Sequence, residues 1–164
     1  MKRIGLLSDT HGFIHPKVSD FFMHCDEIWH AGDIGNIETA NKFSEIKPFK
    51  AVYGNIDGND IRQAYNEYEL FDCEQVKVLM IHIGGYPGRY NPKARKLIEE
   101  HKPKLFISGH SHILKVMPDR KNYLLHINPG SAGKSGLHKV ITMVRFVIDR
   151  DDIKDLEVFE AKRY

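Results

Sequence analysis

The stretch Arg3-Ile4-Gly5-Leu6-Leu7-Ser8-Asp9-Thr10-His11-Gly12 decides the fold class. Ile4, Leu6 and Leu7 make a compact apolar run of strand length, and the run stops at a polar cluster closed by glycine. This is the pattern of a buried strand that delivers a carboxylate and an imidazole at its carboxyl end. Behind it, Pro16 suits a helical first turn, and Val18, Phe21 and Phe22 recur at helical spacing before Cys25.

The unit repeats twice. Glu27 to Ala31 carries Ile28, Trp29 and Ala31 into Gly32 and Asp33. Asn36 then caps a helix predicted to run through Glu45, with Glu38 in the first turn favoured by the helix dipole. Phe49 to Tyr53 is a third strand, closed by Gly54 and Asn55. Three strand-to-polar-loop units separated by helices predict a parallel sheet whose carboxyl edge collects side chains from several loops.

Past Asp57 the pattern loosens. Tyr65 to Phe71 is a strand candidate, and Val76 to Ile83 is a clearer one that sets His82 at a strand end before Gly84-Gly85-Tyr86-Pro87-Gly88. Pro92 opens a helix to about His101 with Ala94, Leu97 and Ile98 facing inward, and Lys104 to Ser108 is a strand ending at Gly109 and His110. In the last third, Tyr123 to Ile127, Lys139 to Ile148 and Leu156 to Phe159 are strand-like and joined by short turns, which predicts a second, antiparallel sheet built from that region. The expected fold is α/β, a two-sheet β-sandwich flanked by helices, forming a single domain over residues 1–164.

The 24 basic and 22 acidic residues leave a formal charge of +2 and are interspersed, which argues against a dedicated nucleic-acid binder. Cys25 and Cys73 are too few for a disulfide framework. The chain opens directly on a strand-like run with no cleavable apolar leader, so a reducing, cytoplasmic location is expected. No apolar stretch approaches the roughly 20 residues that cross a bilayer, so no membrane partner is expected.

Alternate side chains of an extended segment share a face, so Asp9 and His11 can reach one ion, as can His110 and His112. Gly109 allows close backbone approach beside the second pair. An ionised Asp33 has two acceptor oxygens and can bridge two ions. Asn55 supplies a neutral oxygen or serves only as a turn residue. Hard oxygen and borderline nitrogen donors from separate segments are what two divalent ions around a phosphate require.

Taken together, Ser-Asp-Thr-His-Gly (8–12), His-Ala-Gly-Asp (30–33), Gly-Asn-Ile-Asp (54–57), His82, Gly-His-Ser-His (109–112) and Asn-Pro-Gly-Ser (128–131) resemble the calcineurin-like metallophosphoesterases. The resemblance is to their small bacterial and archaeal phosphodiesterase branch, and it covers residue 4 to about residue 148. It implies an α-β-β-α fold with the site at the carboxyl ends of strands. Asp9, His11 and His112 would hold one ion, Asn55, His82 and His110 the other, with Asp33 bridging. Such ions stand about 3.5–4 Å apart and activate a bridging water for in-line attack on phosphorus. Manganese is the commonest metal of the family, with iron, zinc and nickel also used, and the implied substrate is a small phosphodiester or nucleotide. The physiological substrate, the metal pair and any homo-oligomer are left open.

This chain departs from the family pattern twice. Where many members carry a His, or in this branch a Cys, after the metal-binding Asn, it has Ile56, which transfers no proton. Asp57, beside it, is read as orienting the loop or a ligand rather than replacing that acid. After His82 the branch usually has glycine, whereas here the run is Ile-Gly-Gly-Tyr-Pro-Gly-Arg-Tyr. Arg89 in that run either grips a phosphate oxygen or is a solvated surface arginine, and Tyr86 and Tyr90 are candidates for stacking on a nucleobase. Trp29, Phe21 and Phe22 are expected in the core, and His30 either orients a carboxylate or is a buried, hydrogen-bonded ring. Asn128 to Ser131 form a turn that buttresses the reactive loops. Two other function classes stand beside the enzyme: a protein-binding scaffold, as in a retromer subunit of this family, and a regulatory module that binds a nucleotide without cleaving it.

Overall fold

A computed structural model describes residues 1–164. The first third runs β1 (Lys2–Leu7), α1 (Val18–Phe21), β2 (Glu27–His30), α2 (Ile37–Ile46) and β3 (Phe49–Ala51). The middle runs α3 (Asn59–Ala64), β4 (Tyr68–Cys73), β5 (Val76–Ile81), the short pair β6 (Gly85–Tyr86) and β7 (Arg89–Tyr90), α4 (Pro92–His101) and β8 (Leu105–Ile107). The last third is β9 (Leu114–Asp119), β10 (Leu124–Pro129), β11 (Val140–Asp149) and β12 (Asp152–Lys162). No helix is long and apolar enough to cross a membrane.

Local chemistry explains the two regular helices. Asn36 Oδ1 accepts from the Thr39 backbone N–H at 2.9 Å, and Asn91 Oδ1 accepts from Lys93 N at 3.0 Å with Pro92 as the first helical residue. At the far end of α4, Lys102 takes a left-handed conformation (φ +49°) that stops the helix. α1 is a single turn, shorter than the Pro16 signal predicts.

Strand order is β12-β11-β1-β2-β3 in the first sheet and β4-β5-β8-β10-β9 in the second. β1, β2 and β3 are parallel, as expected, but β11 joins them antiparallel along β1, with Ile4 opposite Phe146. The prediction that the last third builds a sheet of its own is overturned. β9 and β10 extend the second sheet beside β8, while β11 and β12 complete the first. Both sheets are therefore mixed.

The alternation along each strand sorts side chains into layers. Ile4, Leu6, Trp29, Val144 and Phe146 of the first sheet meet Val78, Met80, Leu105 and Ile107 of the second in one buried core. The opposite face of the first sheet, through Leu7, Ile28 and Met143, packs on Val18 and Phe22 at α1 and on Phe43 of α2. The opposite face of the second, through Leu79, Ile81 and Phe106, packs on Ala94, Leu97 and Ile98 of α4. Each of these larger apolar side chains contributes about 1.5–3 kcal/mol on burial. This is an α/β fold of two facing mixed sheets with few helices outside.

Three elements have no counterpart in the sequence reading: α3, β9 and the β6–β7 hairpin. β9 is an edge strand, which is why Pro118 fits in it. Trp29 and Phe22 are fully buried as expected, and Phe21 is partly so.

Candidate metal centre

Five strands of two sheets end on one rim. β1 leads to Asp9 and His11, β2 to Asp33, β3 to Asn55, β5 to His82 and β8 to His110 and His112. Two groups of three have donor atoms mutually within 4.8 Å: Asp9, His11 and His112, and Asp33, His82 and His110. Asn55 Oδ1 lies 3.1 Å from His82 Nε2 and 3.0 Å from His110 Nδ1, which puts it with the second group. His82 Nε2 is 3.2 Å from Asp33 Oδ2 and 3.7 Å from Asp9 Oδ1, so the two groups touch.

The backbone is bent to bring them there. Asp9, His11, Asp33, His110 and His112 all adopt positive φ, between +48° and +72°. Non-glycine residues seldom enter this region, and strain of order 1–3 kcal/mol at each is kept only where the surroundings impose it. Close approach is equally tight at Gly54, where an added Cβ would sit 2.1 Å from Asp33 Oδ1, and at Gly109, where it would sit 2.3 Å from Ser8 Oγ.

Buried partners hold the carboxylates. Asp9 is fully buried, and its Oδ2 accepts from Ser8 Oγ at 2.6 Å and from the His110 backbone N–H at 3.1 Å. Asp33 Oδ1 accepts from Ile56 N at 3.0 Å. Asp57 accepts from the backbone N–H groups of Ile34, Gly35 and Gly54 at 2.8–3.2 Å, clamping the Asp33 and Asn55 loops together, so of its two readings the loop-orienting one is observed. Arg62 Nε adds a bond to the Asp57 carbonyl at 2.6 Å. Asn128 Nδ2 donates to Gly109 O and Ser111 Oγ, each at 3.0 Å, and Ser131 Oγ donates to Asp9 O at 3.1 Å, so the segment braces the loops, although Asn128 and Pro129 end β10 instead of forming a turn.

Lone pairs face one another across the rim. His82 Nδ1 donates to Ala31 O at 2.7 Å, which leaves its Nε2 directed at the Asp33 carboxylate. His138 Nε2 donates to Gly133 O at 2.7 Å, so His138 Nδ1 accepts from His112 Nδ1 at 3.2 Å, and His112 Nε2 faces Asp9 Oδ1 at 3.1 Å. Asp9 Oδ1 and His11 Nε2 are buried with no hydrogen-bond partner. Such atoms are satisfied only by a proton or a cation between them, and mixed carboxylate and imidazole donors suit a divalent transition metal. The residues present fit the metal that the sequence implies.

The ionisation balance agrees. Burial opposes charge on Asp33, yet the His11 and His82 imidazoles hold its carboxyl well below the usual carboxylate range. Asp33 raises His11 above its ordinary value. Burial pulls His82 down, but Asp33 and Asp9 more than reverse this and leave it raised.

His30 belongs to the supporting layer. It is fully buried, its Nδ1 accepts from Gly32 N at 3.1 Å, its Nε2 meets Thr10 Oγ1 at 2.9 Å, and burial pushes its pKa down to about 3. Of the two readings for it, the buried hydrogen-bonded ring is the one observed. Arg89 lies outside the donor cluster, exposed on β7, and lines a cleft that reaches His110. Tyr90 is not free to stack on a base: it is buried with its hydroxyl donating to Asp119 Oδ2 at 2.6 Å. Ile56 is exposed beside Asn55. His138 was not found from sequence, because it lies 26 residues from His112 in a loop without periodicity.

Among proteins of similar sequence are probable metallophosphoesterases of Methanocaldococcus jannaschii, 34% identical with 78% of this chain and 67% of that protein covered, and of Methanothermobacter thermautotrophicus, 30% identical with 78% and 76% covered. Among solved structures, an archaeal phosphodiesterase superposes with a TM-score of 0.75 at 19% identity, covering 96% of this chain and 99% of that one. Vps29 of Chaetomium thermophilum gives 0.76 at 13% identity with 99% of both chains covered, and Vps29 of Entamoeba histolytica complexed with zinc gives 0.72 at 16% with 99% of both. The model of the Calcineurin-like phosphoesterase superfamily domain matches residues 1–151, and with that extent of agreement, the chain belongs to this superfamily.

Proposed function

We propose that this protein is a phosphodiesterase that works with two divalent metal ions. The observation that carries the reading is the meeting of Asp9, His11 and His112 with Asp33, His82, His110 and Asn55 at one rim, their lone pairs turned inward. Asp9, His11 and His112 are assigned to one ion, Asn55, His82 and His110 to the other, and Asp33 to both. Two divalent ions held by these residues would supply an activated water and neutralisation of phosphate charge, with manganese the first choice and iron, zinc or nickel also compatible. The chain's own part is to fix donor orientation through Ser8, Ala31, Asp57 and His138.

A diester is favoured over a monoester by the surroundings. Ile83 stands in the walls of two clefts, of about 270 and 290 Å³, one reaching the cluster at His110 and the other at Asn55 and His82. Two clefts suit a phosphorus bearing two organic arms. Ile56 offers no proton to a leaving group, so esters with good leaving groups are preferred. The free, buried thiols of Cys25 and Cys73 fit a reducing, cytoplasmic setting.

The test is elemental analysis of the purified protein together with hydrolysis of bis(p-nitrophenyl) phosphate and p-nitrophenyl phosphate under added manganese, nickel and zinc. Bound metal and faster diester cleavage are expected, with turnover abolished in Asp33→Ala and Asn55→Ala while circular dichroism stays unchanged. Near-normal activity in either variant would reject the ligand assignment. The absent proton donor favours a second reading, a scaffold or nucleotide-binding module on the same fold, which predicts metal or ligand binding without hydrolysis.

A further inference from the structure

The β6–β7 hairpin and the start of β9 enclose the cleft that reaches His110, and its chemistry is not that of a simple phosphate pocket. Ile83 and Ile113 are 40% and 61% exposed, unusual for isoleucine, and each directly follows a candidate ligand, His82 and His112. Tyr86 lies beside them with the Lys115 ammonium 3.7 Å from its ring centroid. Arg89 is exposed in the same wall, and neither its guanidinium nor the Lys115 ammonium is paired with a carboxylate. At the back sits His126, fully buried, stacked on Phe106, its Nδ1 donating to Phe106 O at 3.1 Å. That bond leaves Nε2 as an acceptor, and this atom has no partner.

Two demands follow from these groups. The exposed isoleucines and the tyrosine ring gain by covering an apolar or planar moiety. The two cations attract a negative charge on that moiety, separate from the scissile phosphate that the metal centre would hold. A nucleotide meets both, with a base and a further phosphate.

We propose that this cleft is the subsite for one arm of the substrate, and that the arm is a nucleotide carrying its own terminal phosphate, recognised by Lys115 and Arg89. The proposal rests on the phosphodiesterase reading and narrows it from any diester to a phosphate-terminated dinucleotide or oligonucleotide end.

The experiment compares adenylyl-(3′→5′)-adenosine with the same compound bearing a 5′-phosphate, using the metal-loaded protein and bis(p-nitrophenyl) phosphate as a reference. The 5′-phosphorylated form should show about tenfold higher kcat/KM, the effect of one charge-assisted contact. The ratio should fall towards one in Lys115→Ala and in Arg89→Ala. Calorimetric titration of the non-cleavable methylphosphonate-linked pair should give the same ratio in Kd. Cleavage of the reference ester with equal constants for both dinucleotides, with neither dinucleotide cleaved, or with a ratio that survives both substitutions, overturns the subsite and leaves the phosphodiesterase standing. Failure to cleave all three esters overturns both.

Discussion

His112 and His138 meet Nδ1 to Nδ1 at 3.2 Å, and the proton between them belongs to His112 because His138 spends its own on the Gly133 carbonyl. His138 thereby selects the tautomer in which His112 Nε2 is free to bind an ion. Removing such a partner typically costs 10–100-fold in metal affinity. His138→Ala should weaken metal binding by about that factor in a calorimetric titration, while kcat at saturating metal changes much less. His138→Gln, which restores an acceptor, should recover part of the loss. Equal metal affinity in all three proteins would show that the pair is idle.

Ile56 directly follows Asn55, offers no side-chain proton, and has its backbone N–H fixed by Asp33 Oδ1 at 3.0 Å. Ile56→His should raise kcat/KM for alkyl diesters by up to about 100-fold, the lower end of what a positioned acid contributes, and change aryl diesters far less. An unchanged alkyl-to-aryl ratio would exclude the position from proton transfer.

Asp57 is 3% exposed and satisfies three backbone N–H groups from two loops. Asp57→Ala leaves those donors buried and unpaired, so urea denaturation should show a loss of about 2–4 kcal/mol. Because the freed loops carry Asp33 and Asn55, metal affinity should fall as well. A loss under about 0.5 kcal/mol would mean that water replaces the carboxylate.

Burial pushes the His126 pKa from 6.5 down to about 4. The sign follows from proton counting: between those values the unfolded chain binds a proton at this residue and the folded chain does not, so stability falls as pH drops from 6.5 towards 4. By pH 4.5 the contribution is about 3 kcal/mol, and above pH 6.5 it is nil. Denaturation free energies of the protein and of His126→Phe, followed from pH 7.5 to 4.5, should differ in slope only below 6.5. Parallel curves throughout that range would contradict the burial-induced shift.

The strand-ending blocks were legible because each combines an apolar run with an abrupt polar stop, and a sheet of parallel strands has one edge at which such stops gather. Asn36 and Pro92 announced their helices through chemistry confined to one turn. The distribution of the last four strands between two sheets was not legible, since alternation in Val140–Asp149 looks the same whichever sheet receives it. β9 hid behind Pro118, and α3 is only six residues long. At the site, residue type and order foretold which side chains meet. They gave no sign of the left-handed backbone at Asp9, Asp33 or His110, nor of His138, whose partner is fixed by tertiary packing alone.

β1 lies between β2, which follows it closely, and β11, which begins at Val140. During synthesis one flank of the first strand therefore stays bare until Val140–Asp149 has left the ribosome, and an open flank of this kind invites pairing with a neighbouring nascent chain. Assembly of the reactive rim, which begins at the end of that same strand, thus waits on a segment far along the chain, and chaperone dependence or slow recovery from denaturant would be the outward mark of that delay.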